Sequence, residues 1–284
     1  MAMQKLEIYQ SLWAMERRQP GQEERPVEVS FEMIAAAGFD GVCLDPACSE
    51  IDHFLALKPL FEKYDLKCMV NAFPYTEAEL MPLLAMARQL DASLVNVIGG
   101  VMPLTVAEGA HVIRRWIADG EREGIPLLFE THRDSTLNDL FYTLQMLDAV
   151  PEMRLCADLS HFVLDREMRL PLSEADRSYM HRILDCSDCF QGRIASREQI
   201  QVQIEFPQHR EWVEQFKMWW HDGLGMWRKR NDEEASVIFL CELGPPPYAI
   251  TDAQGAELSD RWQEALTIKK WVEKIWQALP TVEQ

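Results

Sequence analysis

Residues 106–158 read VAEGAHVIRRWIADGEREGIPLLFETHRDSTLNDLFYTLQMLDAVPEMRLCAD. Val106–Glu123 carries apolar side chains at helical spacing, and Gly124 falls where such a helix should stop. Leu127–Glu130 is an apolar run too short for a helix. Leu137–Ala149 returns to helical spacing, and Met153–Asp158 is again short and apolar. The order is helix, strand, helix, strand, which is the rhythm of an α/β fold with a parallel sheet.

The same rhythm extends in both directions. Strand candidates are Leu6–Trp13, Gly41–Leu44, Lys67–Phe73 and Ser93–Ile98 before this segment, and Cys189–Ala195 and Ser236–Glu242 after it. Helix candidates are Val27–Ala37, Ile51–Tyr64, Thr76–Leu90, Ser173–Leu184, His209–Lys229 and Ala256–Ala278. Thr76-Glu-Ala-Glu79 has the form of a capping box, and Gly38 marks a helix end. Eight strands alternating with eight helices, at about 33 residues per unit, predict a single (β/α)8 TIM barrel spanning residues 1–284. An open doubly wound sheet would need a glycine-rich loop after its first strand, and Tyr9-Gln-Ser-Leu-Trp-Ala14 has no glycine.

Composition narrows the function. Twenty-eight Lys and Arg against 46 Asp and Glu give a net charge of −18, which disfavours nucleic acid and anionic membrane surfaces as partners. The absence of a long apolar stretch and of a signal-peptide core predicts a cytoplasmic protein. Seven cysteines, several inside apolar strands, read as reduced thiols, and Cys186-Ser-Asp-Cys189 is a lone CxxC without a second pair.

In a barrel of this kind chemistry gathers where the strands end. Three strands close on carboxylates: Glu130, followed by Thr131, His132 and Arg133; Asp158, followed by Leu159, Ser160 and His161; and Glu242, followed by Leu243-Gly-Pro-Pro-Pro-Tyr248. Three acids at one barrel mouth repel unless a cation holds them ionised or some stay protonated, and carboxylate oxygens suit Mg²⁺ or Mn²⁺. Strand seven adds Gln191, a neutral oxygen donor, and Arg193, suited to a substrate hydroxyl or phosphate. Trp13, at the end of strand one, is placed to stack on a ligand or to plug the barrel. Asn71 and Asn96 stand inside strands three and four with their direction open. Arg17, Arg18 and Arg25 lie in the first loop, at the catalytic face, where they could attract a phosphate or carboxylate substrate, but Glu16, Glu23 and Glu24 beside them make a solvated mixed-charge segment the simpler reading. Trp212, Phe216, Trp219 and Trp220 form one helical face expected to pack on the barrel or on a partner subunit, which makes a homodimer or homotetramer plausible.

These strand ends resemble those of the xylose isomerase-like TIM barrels, the sugar phosphate isomerase/epimerase superfamily. Glu130-Thr-His-Arg133, Asp158-Leu-Ser-His161, Gln191-Gly-Arg193 and Glu242-Leu-Gly-Pro-Pro-Pro-Tyr248 carry the likeness over essentially the whole chain. The resemblance implies one divalent metal, Mn²⁺ or Mg²⁺ before Co²⁺ or Zn²⁺, held by Glu130, Asp158, Gln191 and Glu242. It implies a small sugar or keto-sugar as substrate, with Glu130 and Glu242 moving a proton next to its carbonyl. His161 would bind a substrate oxygen, with Arg193, His132, Arg133 and Trp13 around it. The expected activity is a metal-dependent sugar isomerase or epimerase, with a related lyase or dehydratase as an alternative. A DNA-cleaving relative would need more histidines at strand ends and a basic face. The family pattern has histidine where this chain has Gln191. That leaves three readings open: a hard-cation site, replacement by His209 or His221, or a metal-poor barrel that binds sugar without turning it over.

Overall fold

The structure, a computed structural model, describes residues 4–280. Eight parallel strands close into a barrel in sequence order: β1 (Lys5–Ser11), β2 (Gly41–Leu44), β3 (Lys67–Ala72), β4 (Leu94–Val97), β5 (Leu127–Glu130), β6 (Leu155–Ala157), β7 (Ser187–Gln191) and β8 (Ser236–Cys241). β8 pairs with β1 from Lys5↔Ser236 to Gln10↔Cys241 and closes the ring. The helices are α1 (Val27–Ala36), α2 (Ile51–Leu55), α3 (Lys58–Tyr64), α4 (Leu80–Gln89), α5 (Val106–Glu123), α6 (Leu140–Ala149), α7 (Leu159–Asp165), α8 (Glu174–Asp185), α9 (Arg210–Arg230) and α10 (Arg261–Ala278). The expected (β/α)8 barrel is therefore the fold.

Local differences have simple causes. The helix expected over 51–64 splits in two, with Pro59 in the first turn of the second piece, where its missing N–H costs nothing. β7 begins earlier than expected, at Ser187, because that polar start is satisfied: the Ser187 hydroxyl donates to the Ile183 carbonyl and Asp188 pairs with Arg154 and Arg230. Arg193 consequently lies past the strand. Trp13 also lies beyond its strand, in a short helical turn, Trp13–Met15. α7 starts directly after β6, capped by Asp158, whose carboxylate accepts from Ser160 N at 3.0 Å.

The core has two layers. Most apolar side chains fill the space between barrel and helices, including the aromatic face of α9. Trp212, Phe216, Trp219 and Trp220 are all buried within their own chain, and Trp220 meets Phe239 of β8 edge to face at 5.3 Å. Inside the barrel Tyr9, Cys43, Met69, Leu94, Leu128, Cys156, Cys189, Ile238 and Leu240 form a separate apolar plug. All seven cysteines are free thiols, Cys186 and Cys189 included. No helix among the described residues is long and apolar enough to cross a membrane.

Candidate active site

Strand side chains alternate, so a residue two positions beyond an inward-facing one also points inward, one layer nearer the strand's C-terminal end. Adding two to the plug residues Cys43, Met69, Leu94, Leu128, Cys156, Cys189 and Leu240 gives Asp45, Asn71, Asn96, Glu130, Asp158, Gln191 and Glu242. A complete polar layer therefore caps the apolar plug. Because all strands run parallel, this layer lies at one mouth of the barrel.

The layer is cross-linked by hydrogen bonds. Asn71 Nδ2 donates to Asp45 at 2.9 Å and to Glu242 Oε1 at 3.2 Å. Asn96 Nδ2 donates to Asn71 Oδ1 at 2.9 Å and also to Glu130 Oε2. Gln191 Nε2 donates to the same Glu130 oxygen at 2.7 Å. Arg193 enters from the β7 side. Its Nη1 lies 2.9 Å from Asp158 Oδ2, its Nη2 3.4 Å from Glu242 Oε2, and its Nε donates to the Glu242 carbonyl at 3.0 Å. Asp158 takes a further contact from His161 Nε2 at 3.4 Å.

Burial sets the protonation of this layer. It raises Glu130 well above the usual carboxylate range, with Glu242 repulsion added, and it pushes Glu242 up to about 8, Asp45 adding to the rise. Asp45 itself is raised to about 7 by burial. Burial opposes the charge of Asp158 too, but Arg193, then His161 and Ser160, outweigh it and hold that carboxyl low. His132 and His161 are both pushed down, by burial first, so each stays a neutral imidazole.

Above the layer lies a cavity of about 350 Å³. Glu130, His132, Arg193, Glu242 and Trp13 line it, together with Asp45 and an apolar wall that includes Phe73, Tyr75 and Tyr248. Arg193 lies over the Tyr248 ring at 4.8 Å and Trp13 meets that ring edge-on at 5.2 Å. Gly244 permits this approach, since a Cβ there would stand 2.3 Å from the Trp13 ring. Arg133 sits over Tyr248 at 5.7 Å, outside the lining. Asp158, His161 and Gln191 are buried beside the cavity and do not line it. His132 lines the cavity, and its ring centroid is 3.9 Å from that of the fully buried His161.

The donors suit a hard cation. Glu130, Asp158 and Glu242 each offer an oxygen within 4.8 Å of the others, and Glu130, His132 and His161 form a second such group. Glu130 Oε1 and Gln191 Oε1 are buried and have no hydrogen-bond partner in the structure. Orphaned carboxylate and amide oxygens facing like charges fit Mg²⁺ or Mn²⁺ better than a thiophilic metal. Neither helix histidine stands in for the missing imidazole: His209 Nδ1 is held by the Gln203 carbonyl at 2.9 Å, and His221 is exposed beside Asp222.

Sequence reasoning overlooked Asp45 and left Asn71 and Asn96 undecided. The signal was present, because Cys43-Leu-Asp45 has the same two-residue step as Cys156-Ala-Asp158.

No family model matches the chain, and no curated protein matches it in sequence. Solved structures do match. The D-allulose 3-epimerase from Methylomonas sp. aligns at 15% identity over 97% of this chain and 100% of that chain, with TM-score 0.62. A xylose isomerase-like TIM barrel protein from Mycobacterium smegmatis in complex with magnesium aligns at 14% identity over 96% and 98%, with TM-score 0.60. A probable 3-DHS dehydratase from Bacillus anthracis aligns at 11% identity over 93% and 97%, with TM-score 0.52.

Proposed function

Taking the xylose isomerase-like TIM-barrel fold as the premise, we propose that this protein is a metal-dependent isomerase or epimerase of a small sugar or keto-sugar. The observation that carries the reading is the buried carboxylate set Glu130, Asp158 and Glu242, with mutually close oxygens at the base of a monosaccharide-sized cavity. The likeness in fold to a D-allulose 3-epimerase and to a magnesium-bound barrel supports it.

Glu130, Asp158, Gln191 and Glu242 would hold the metal. The chemistry a divalent cation supplies in such a donor set is stabilisation of negative charge developing on a carbonyl oxygen. The chain's own residues supply the rest. Glu242 and Glu130 border the cavity from β8 and β5, so one removes the proton next to the carbonyl and the other returns one. Return on the opposite face gives epimerisation, and return to the neighbouring carbon gives aldose–ketose isomerisation. Arg193 and neutral His132 bind substrate oxygens. His161, buried beside the cavity, acts by fixing Asp158 and the His132 ring. Trp13 and Tyr248 pack on the apolar side of the ligand and exclude water.

Two alternatives keep the same site. A lyase or dehydratase would begin with the same proton abstraction, and the fold likeness to a dehydratase supports that branch. A barrel that binds without turnover is favoured by Arg193, whose guanidinium already pairs with Asp158 and lies close to Glu242. Incubation of Mn²⁺-loaded protein with a panel of ketoses in D2O separates the readings. Deuterium uptake next to a carbonyl, abolished in Glu130→Gln and Glu242→Gln, is the expected result. No exchange with any ketose, while ligands still bind, would overturn catalysis in favour of the binding barrel.

A further inference from the structure

A second cavity, of about 590 Å³, lies between the β1–α1 loop and the segment entering α10. The two cavities share a wall: Trp13 faces the carboxylate layer, while Ala14, Met15 and Glu16 from the same stretch face the second space. We infer that this second cavity binds a small anion of the phosphate or carboxylate class through the guanidiniums of Arg17 and Arg25.

The carboxylates that line this cavity, and Glu24 beside it, are engaged. Glu16 pairs with Arg18 at 2.5 Å, and Glu257 takes Arg261 through two contacts of 2.6 and 2.9 Å. Asp260 caps α10 by accepting from Trp262 N and Gln263 N, and Glu24 accepts from the backbone N–H groups of Arg17 and Arg18. Arg261 is equally satisfied, donating to the carbonyls of Ala14, Leu243 and Glu16 as well, and so ties the first and last loops together.

Arg17 and Arg25 differ. Neither guanidinium forms a salt bridge among the described residues, in a chain where acids outnumber bases 46 to 28. Arg25 Nε is buried without a hydrogen-bond partner, and its Nη1 meets only the Met33 sulfur. Burial, then the neighbouring Arg17 charge, hold Arg25 below the usual guanidinium range, and the attraction of Glu24 and Asp260 only partly offsets this. Two planar donor forks that line one polar cavity, with no carboxylate among the described residues within salt-bridge distance of either, match the geometry by which arginine takes phosphate or carboxylate. The anion is either a free ligand or the charged arm of a substrate reaching past Trp13, and the two sources share this chemistry.

Titration calorimetry of the full chain with inorganic phosphate tests the site. Saturable 1:1 binding is expected, weakened at least about tenfold in Arg17→Ala/Arg25→Ala, weakened by salt, and unchanged in Arg169→Ala, an exposed arginine outside the cavity. Arg17→Ala alone, which breaks no side-chain hydrogen bond or salt bridge among the described residues, should weaken binding about threefold or more and covers the case in which the double variant misfolds. Fructose 6-phosphate distinguishes the sources. Binding tighter than phosphate that also needs Glu242 marks a substrate arm, and binding equal to phosphate marks a free anion. No saturable phosphate binding, or binding indifferent to both arginines, would overturn the site.

Discussion

Gln191 Nε2 donates to Glu130 Oε2 at 2.7 Å, linking the last residues of β7 and β5 across the barrel mouth. This amide spends its nitrogen on holding a carboxylate and leaves its own oxygen buried and unpartnered. An imidazole at that position would instead offer a nitrogen lone pair to a metal.

Metal preference should follow from this. Gln191→His is expected to raise affinity for Co²⁺ and Zn²⁺ at least about tenfold relative to Mn²⁺ and Mg²⁺, because imidazole suits the later transition metals. Competitive metal titration checks it, and an unchanged order would mean that residue 191 is not a ligand.

Arg193 is enclosed between Asp158 and Glu242 and is 2% exposed. Arg193→Met removes the cation and leaves Asp158 buried with its charge uncompensated. A loss of about 3–5 kcal/mol in unfolding free energy at pH 7.5 is expected from chemical denaturation. A loss below about 1 kcal/mol would show that Asp158 has another partner.

Cation binding should be strongly pH-dependent. Burial raises the proposed ligand Glu242 to about 8, so it carries a proton in the metal-free protein at pH 6, and burial favours the protonated form of Glu130 as well. A cation must displace those protons, so apparent affinity rises with pH between about 6 and 8, by about tenfold per unit for each proton released. Titration of Mn²⁺ across this range reads the slope, and a flat profile would contradict a carboxylate site.

Glu264, on α10, offers a pH test of stability away from the mouth. Its carboxylate accepts from Ile204 N at 3.0 Å, and burial raises it to about 7. A raised acid contributes stability that is fully present below the unfolded value near 4.5 and is lost as pH rises through 7. Glu264→Gln keeps an acceptor for Ile204 and never ionises. It should match the wild type at pH 4.5 and exceed it by about 1–3 kcal/mol at pH 8. Equal stability at both pH values would place Glu264 in contact with water.

The barrel and three of its mouth residues were legible because Glu130, Asp158 and Glu242 each interrupt an apolar run at its end, a break any periodicity shows. Gln191 was legible as a neutral donor on strand seven, although the expected strand, Cys189–Ala195, ran past its true end at Gln191 and its start was hidden by Ser187 and Asp188, whose partners come from other elements. α7 was missed because its N-cap, Asp158, reads equally well as the end of a strand. Asp45 follows immediately on β2 and breaks no long apolar run. Its place in the layer depends on contacts with Asn71 and Glu242, which are remote in sequence. That His132 and not His161 reaches the cavity goes with a ring contact between the loop after β5 and α7, which spacing does not encode.

Metal content of the purified wild type beside Glu130→Gln and Asp158→Asn tests the central claim most directly. About one Mn, Mg, Co or Zn per wild-type chain, lost in both variants while the fold is retained, is the predicted result. A wild-type protein that holds no metal and takes up no added Mn²⁺ would contradict it, and Arg193 would then be the only cation those carboxylates require.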